Sequence, residues 1–341
     1  MNFASDNVTG VSPEILEAIA AANHGAAAPY GEDEITKRLK TKLAELFEHE
    51  VAILPVATGT ASNSLALAAF VPPWGAVLCH EDAHIAVDEI NAPEFFTGGA
   101  KLVSLPGTDG KLQAATLEAQ LPGGLGVVHH AQPAAISLTQ ATEAGTVYRP
   151  AEIAALTEIA HRYGLVAHMD GARFGNAVVS TGATPADLTW RAGIDVLSFG
   201  ATKNGALAAE VVILFDPAKA KDLPFRRKRV GHLFSKMRYL SAQLDAYITN
   251  DLWLRNAAHA NRAAARLVTG LAQLPDVHLR HPVEANEIFI ELPEPVIDGL
   301  LAQGFFFYRW DGNCIRLVTA FDTTDASVDA LVAAARALAA R

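Results

Sequence analysis

Apolar and polar positions alternate in two rhythms along this chain. In the first, Ile35, Leu39, Leu43 and Leu46 recur at helical spacing and predict an amphipathic helix from about Asp33 to His49. Another helix is expected after Ser12, which can cap it, with Pro13 in the first turn and Gly25 just past the end. In the second rhythm, short runs are almost continuously apolar: 51–54, 76–79, 101–105, 135–139, 165–169, 195–199 and 211–215. Helical stretches at 61–70 and 150–163 separate some of them. Runs of this kind, alternating with helices, predict an α/β fold whose mostly parallel central sheet is covered by helices on both faces. Beyond about residue 225 the pattern changes. Long helices are expected at 226–247 and 252–274. Strands near 288–292, 305–309 and 314–318 and an Ala-rich closing helix then form a smaller α+β unit. The expected division is a large domain over 21–240 and a small C-terminal domain over 241–341.

Composition narrows the function. The 341 residues are 50% hydrophobic and 19% charged, as in a globular protein with more than one core. The net charge of -10 disfavours nucleic acid as a partner, since phosphate neutralisation needs basic excess. Two cysteines, Cys79 and Cys314, do not make a disulfide framework and suit a reducing compartment. Residues 1–6 lack the basic and apolar regions of a signal peptide. The apolar run 65–77 is broken by Pro72 and Pro73 and is too short to span a bilayer. No membrane association and a cytoplasmic location are expected.

Three segments carry chemistry together. They are 168–173 (HMDGAR), 198–205 (SFGATKNG) and 57–63 (ATGTASN), each just past an expected strand. In open α/β sheets that is where ligands bind. Pyridoxal phosphate needs a lysine amine to condense with its aldehyde and a carboxylate against its ring nitrogen. It also needs backbone N–H groups at a helix start to hold its phosphate. Lys203, Asp170 and Thr58-Gly59-Thr60 supply these in turn. Taken singly, each has a plainer reading: a solvated cation, a turn or cap residue, and a turn. Their conjunction at strand ends points to the cofactor.

The segment 168–173 resembles the H-x-D-G-A-R signature of the threonine aldolases, in the β-eliminating lyase superfamily. The resemblance starts at Ser5-Asp6-Asn7-Val8-Thr9, similar to S-D-T-V-T. It continues through Tyr30-Gly31-Glu32-Asp33 and reaches Arg316-Leu317-Val318-Thr319, similar to R-L-V-T. Residues 198–205 and 231–237 look closest to the bacterial low-specificity and phenylserine aldolase branch. The resemblance implies a fold type I enzyme that cleaves β-hydroxy-α-amino acids to glycine and an aldehyde. It implies that His84 stacks on the cofactor ring and that His130 acts near the substrate hydroxyl. It further implies that Ser5, Arg173 and Arg316 hold the substrate carboxylate, which brings the N-terminal segment 1–20 to the site. Tyr30 and Lys228 match positions that reach a neighbouring subunit's site in a homotetramer. Thr202 stands where many members have Ser, Gln140-Ala141-Thr142 replaces E-N-T, and Ala320 replaces a histidine after R-L-V-T. His84 and His130 both remain open as the base that takes the β-hydroxyl proton.

Rival readings follow from two further patterns. His80-Glu81-Asp82-Ala83-His84 has the spacing of the H-E-x-x-H zinc motif, which requires a helix. Here it directly follows an expected strand, so no metal is expected. Arg226-Arg227-Lys228-Arg229 is an isolated basic run in an acidic chain and, rather than a nucleic-acid patch, reads as serving a phosphate (Lys228 being a candidate cofactor-binding residue), an inter-subunit salt bridge or a solvated face. Other pyridoxal reactions (transamination, β-elimination, racemisation) share the same electron sink. A non-catalytic binding module on the same fold is the remaining alternative.

Overall fold

The computed structural model describes residues 1–340. In chain order the strands are β1 (Ala52–Val56), β2 (Gly75–His80), β3 (Lys101–Leu105), β4 (Gly107–Thr108), β5 (Lys111–Leu112), β6 (Gln132–Thr139), β7 (Val166–Gly171), β8 (Val196–Gly200), β9 (Glu210–Leu214), β10 (His278–Leu279), β11 (Glu287–Glu291), β12 (Tyr308–Arg309) and β13 (Cys314–Val318). Seven form the central sheet, in the order β1-β9-β8-β7-β6-β2-β3. All its neighbours are parallel except β9, which runs antiparallel to both β1 and β8.

The apolar strands are explained by burial on two faces. Leu78, Ile136, Leu138, Met169, Leu197, Phe199, Val211 and Ile213 join the larger core on one side. Their alternates Val77, Cys79, Ala135, Val196, Val212 and Leu214 pack into two clusters on the other side. Phe47, Phe174, Phe199 and Trp253 form a chain of ring contacts through the larger core.

The smaller sheet, β10-β11-β13-β12, is antiparallel, and it packs with Ala263, Leu267 and Leu271 against a second core. Helix Leu252–Leu271 serves both cores, because Leu252 and Trp253 at its start belong to the larger one. The N-terminal segment also crosses between them. Phe3 lies in the second core and accepts from the Val318 N–H at 2.8 Å, while Ile15 lies in the first.

Two expectations are corrected. Residues 226–247 are not one helix. Helices Leu223–Arg229 and Arg238–Ile248 are separated by a loop in which Gly231 takes φ +81°. Of the strand expected over 305–309, only Tyr308–Arg309 joins the small sheet, at its edge, while Phe306 forms a parallel bridge with Asn2 of the N-terminal segment. No helix among the described residues is long and apolar enough to cross a membrane.

Candidate active site

Parallel pairing sends the carboxyl ends of β2, β6, β7 and β8 to one edge of the central sheet, and β1, antiparallel to β9 as β8 is, ends at the same edge. Because β9 is antiparallel, its first residue, Glu210, comes to that same edge, opposite Val56 and Gly200. There the chain encloses a cavity of about 260 Å³. Thr58, Gly59, Thr60, His84, Asp170, Arg173, Thr202 and Lys203 all line it.

Each wall has a local cause. After β1, Thr58 caps helix Gly59–Ala68, its hydroxyl accepting from the Ala61 N–H at 3.2 Å. The helix start therefore turns backbone N–H groups and a positive dipole end into the cavity. In that first turn the buried Ser62 hydroxyl has no protein partner. Asp170, near the end of β7, is fixed from two sides. Asn63 Nδ2 donates to its Oδ2 at 2.8 Å, and the Ala172 N–H donates to its Oδ1 at 3.0 Å. Lys203 follows β8 in a single 3-10 turn that Gly205 ends at φ +111°. A Cβ on Gly205 would lie 2.2 Å from Ser12 Oγ and 2.8 Å from Asn256 Nδ2, so only glycine fits this turn.

His84 begins the short helix after β2, and its Nδ1 lies 2.8 Å from Glu89 Oε1. That bond to Glu89 holds the imidazole above its ordinary pKa. Asn63 Nδ2 also donates to Glu89 at 2.8 Å, tying His84 and Asp170 into one network. His80 closes β2 and accepts from the Asp82 N–H, so His80 and His84 do not share a helix face as the zinc motif requires. Among the described residues, no group of three or more His, Cys, Asp or Glu is placed to hold a metal ion.

Arg173 opens helix Phe174–Thr181 and is buried. Its Nε and Nη2 grip both oxygens of Asp6, at 2.7 and 2.9 Å, and Nη1 lies 2.9 Å from Glu287. Arg316 lies 4.0 Å from Glu287, stacks over Tyr308 and Trp310, and donates to the Ala4 carbonyl at 3.2 Å. Two arginines and two carboxylates thus join the N-terminal segment, the large sheet and the small sheet. Burial would raise Asp6, but Arg173 and Lys203 outweigh it and hold Asp6 below the usual carboxylate range.

Several expected positions stand elsewhere. His130 lies outside the cavity of its own chain. It precedes the amino end of β6, whose carboxyl end carries Thr139 into the cavity, and eight strand residues at about 3.3 Å each separate the two ends. It lines a different cavity with Lys101, Gly124 and His129. The Ser5 hydroxyl caps the turn Asp6–Val8 by accepting from the Asn7 N–H at 3.1 Å, and Asn7 is the segment's lining residue. Tyr30 is exposed, and the Lys228 ammonium lies 4.9 Å from its ring centre, so the two pair on the surface outside this cavity.

The structure adds residues that sequence reasoning missed. Glu143 and Glu210 both line the cavity, and burial pushes each up to about 7. Glu210 accepts from the N–H groups of Ala201 and Thr202, at 3.1 and 3.4 Å, and so braces the turn that carries Lys203. Glu143 Oε1 accepts from the His84 N–H at 2.6 Å, while its Oε2 is buried without a partner.

An amine, a braced carboxylate and a helix start around one cavity fit a pyridoxal phosphate, and the unpartnered Ser62 hydroxyl lies where a phosphate would take it up. Residues 2–294 match the model of the Beta-eliminating lyase family. The chain belongs to that family. Within it, a low specificity L-threonine aldolase from a Pseudomonas species is 42% identical, over 98% of this chain and 97% of its own. A protein of the same name from Pseudomonas aeruginosa is 44% identical over 94% of this chain and 93% of its own. The chain also superposes on the threonine aldolase of Leishmania major with a TM-score of 0.93, at 28% identity over 99% of each chain.

Proposed function

We propose that this protein is a pyridoxal-phosphate-dependent aldolase that reversibly cleaves β-hydroxy-α-amino acids to glycine and an aldehyde. Its substrates are of the L-threonine, L-allo-threonine and phenylserine type. The observation that carries this reading is the joint placement of Lys203, Asp170 and the Thr58–Thr60 helix start around one cavity, in a chain so similar to low specificity L-threonine aldolases. When bound, the cofactor supplies an electron sink for the pair left on Cα.

The chain's own residues do the rest. Lys203 would hold the cofactor through its amine. Asp170 keeps the ring nitrogen protonated, and Asn63 and the Ala172 N–H keep its carboxylate aimed. Thr58, Gly59, Thr60 and Thr202 hold the phosphate. His84, tethered by Glu89, would hold the cofactor ring. Ser5, Arg173 and Arg316 orient the substrate carboxylate. Since Arg173 is already engaged by Asp6 and Glu287, the substrate carboxylate shares that network. A fixed carboxylate would hold the substrate in one orientation, and this is how orientation lowers the barrier.

The enzyme acts as a homotetramer in the cytoplasm. Exposed Tyr30 and Lys228, paired outside their own cavity, support a contribution to a neighbouring subunit's site. Two buried, unpaired cysteines suit a reducing compartment. The test is incubation with L-threonine, following acetaldehyde by a coupled dehydrogenase and glycine by chromatography. Equal amounts of both support the reading. A 2-oxo acid or ammonia, with no glycine from any β-hydroxy amino acid, overturns it.

A further inference from the structure

Cleaving the Cα–Cβ bond of a β-hydroxy amino acid requires a group that takes the hydroxyl proton. Most polar groups lining the cavity are already engaged. Both oxygens of Asp170 accept hydrogen bonds, from Asn63 and the Ala172 N–H. Both oxygens of Glu210 accept from the Ala201 and Thr202 N–H groups. Arg173 is held by Asp6 and Glu287, and Lys203 is the proposed cofactor amine. Glu89 binds both the His84 ring and Asn63 through Oε1; its Oε2 is buried without a partner, but the carboxylate is committed as the counter-charge of His84. His84 is already engaged through Nδ1 with Glu89, a bond that raises the imidazole's pKa. The remaining group is Glu143. One of its oxygens is pinned to the backbone of His84, which fixes the carboxyl in place, and Oε2 has no hydrogen-bond partner.

Resting on the aldolase reading, we propose that Glu143 Oε2 takes the proton of the substrate β-hydroxyl as the Cα–Cβ bond breaks. The O–H electron pair becomes the second bond of the aldehyde carbonyl. The Cα–Cβ pair stays with the glycine carbon, which later gains one proton, so atoms and charge balance with no oxidant or reductant. In the synthetic direction Glu143 returns its proton to the aldehyde oxygen as the bond forms.

The surroundings of Glu143 suit this exchange. Asp170 from β7 and Cys79 from β2 add negative or neutral neighbours. Arg173, His84 and Lys203 are the cations of the same cavity, Glu89 pairs with His84, and Tyr148 is near enough for Glu143 to help raise its hydroxyl. Burial and Asp170 together raise the carboxyl to about 7, where it both accepts and releases a proton near neutral pH.

The test uses the holoenzyme with Glu143→Gln, close in shape to glutamate, and Glu143→Asp. Removing a general base typically costs about 10²–10⁴ in rate. Glu143→Gln is therefore expected to lower kcat for L-threonine cleavage by that order. Exchange of the glycine α-proton in heavy water, which needs no β-hydroxyl base, should change little, and the cofactor absorbance should remain. The rise of kcat/KM with pH near neutrality should disappear in Glu143→Gln and return in part in Glu143→Asp. Independently of turnover, infrared titration of the cofactor-free protein should lose one carboxyl's amplitude near neutral pH in Glu143→Gln, with that of Glu210 remaining. Equal loss of cleavage and exchange, an intact pH limb, or an unchanged infrared titration overturns the inference. Unimpaired cleavage by Glu143→Gln overturns it alone, whereas a wild type that forms no glycine from any β-hydroxy amino acid overturns the aldolase reading as well.

Discussion

Replacing Asp6 with Asn tests whether the buried charge network fastens the N-terminal segment to the site. The side chain of Asp6 is 1% exposed and that of Arg173 is 9% exposed. Their two-point contact at 2.7 and 2.9 Å crosses 167 residues of sequence. Removing one partner of a buried pair typically costs about 3–5 kcal/mol, because the remaining charge is left uncompensated. Arg173 keeps Glu287 at 2.9 Å, which places Asp6→Asn near the lower figure, about 3 kcal/mol. Unfolding entropy of about 2.1 cal/mol/K per residue gives roughly 0.7 kcal/mol/K for this chain, so Tm should fall by about 4 °C. The pH dependence has a definite sign. Asp6 has a lowered pKa in the folded state, so its contribution is complete above the unfolded carboxylate pKa and is lost as pH falls through the folded value. The gap between wild type and Asp6→Asn should therefore be full at pH 7 and close in acid. Calorimetry of both proteins across pH checks this, with Glu34→Gln as control, since the Glu34–Lys37 pair is exposed and should be worth almost nothing. A variant as stable as wild type at pH 7, or a gap that widens in acid, would refute the argument.

Further outcomes are expected at the cavity. Lys203→Ala should abolish turnover, and borohydride treatment of the wild type should leave the cofactor fixed to the peptide containing Lys203; label on Lys42 or Lys221 would disprove the assignment. Asp170→Asn should weaken cofactor binding and cut kcat by orders of magnitude, and near-wild-type kinetics would exclude its role. Arg316→Lys should raise KM for amino-acid substrates, because an ammonium does not reproduce the guanidinium fork. Thr58→Ala should cost about 1 kcal/mol through the lost helix cap and loosen the phosphate site, read as a lower Tm and a higher Kd for cofactor.

Much of this architecture was legible in the chain because burial leaves a periodic trace. The apolar runs at 76–79, 135–139, 165–169, 195–199 and 211–215 are strands of the central sheet, whose parallel majority follows from burial on both faces. Strand direction leaves no such trace. β9 reads like its neighbours, yet it runs the other way, and that reversal is what delivers Glu210 to the site edge. Similarly, helix Leu252–Leu271 carries apolar residues for two cores, and composition does not mark where one core yields to the other.

The site was legible where a residue sits in a compact local motif, and not where its role depends on a distant partner. Asp170 and Lys203 stand beside strand ends within their own segments, so strand reading alone aims them at the crevice. His130 shows the limit of that logic, because it stands beside the same strand as Thr139 but at the opposite end. Asp6 acquires its role only through Arg173, and Glu89 only through His84 and Asn63, contacts that folding creates. Glu143 lies between these cases. It follows the carboxyl end of β6 by four residues, much as Lys203 follows β8 by three, so its position was available to the same reading. What set Lys203 apart was the chemistry already demanded of a lysine. A carboxyl group has many plain uses at a turn, and only the unpartnered oxygen beside His84 separates Glu143 from a residue that merely closes the loop.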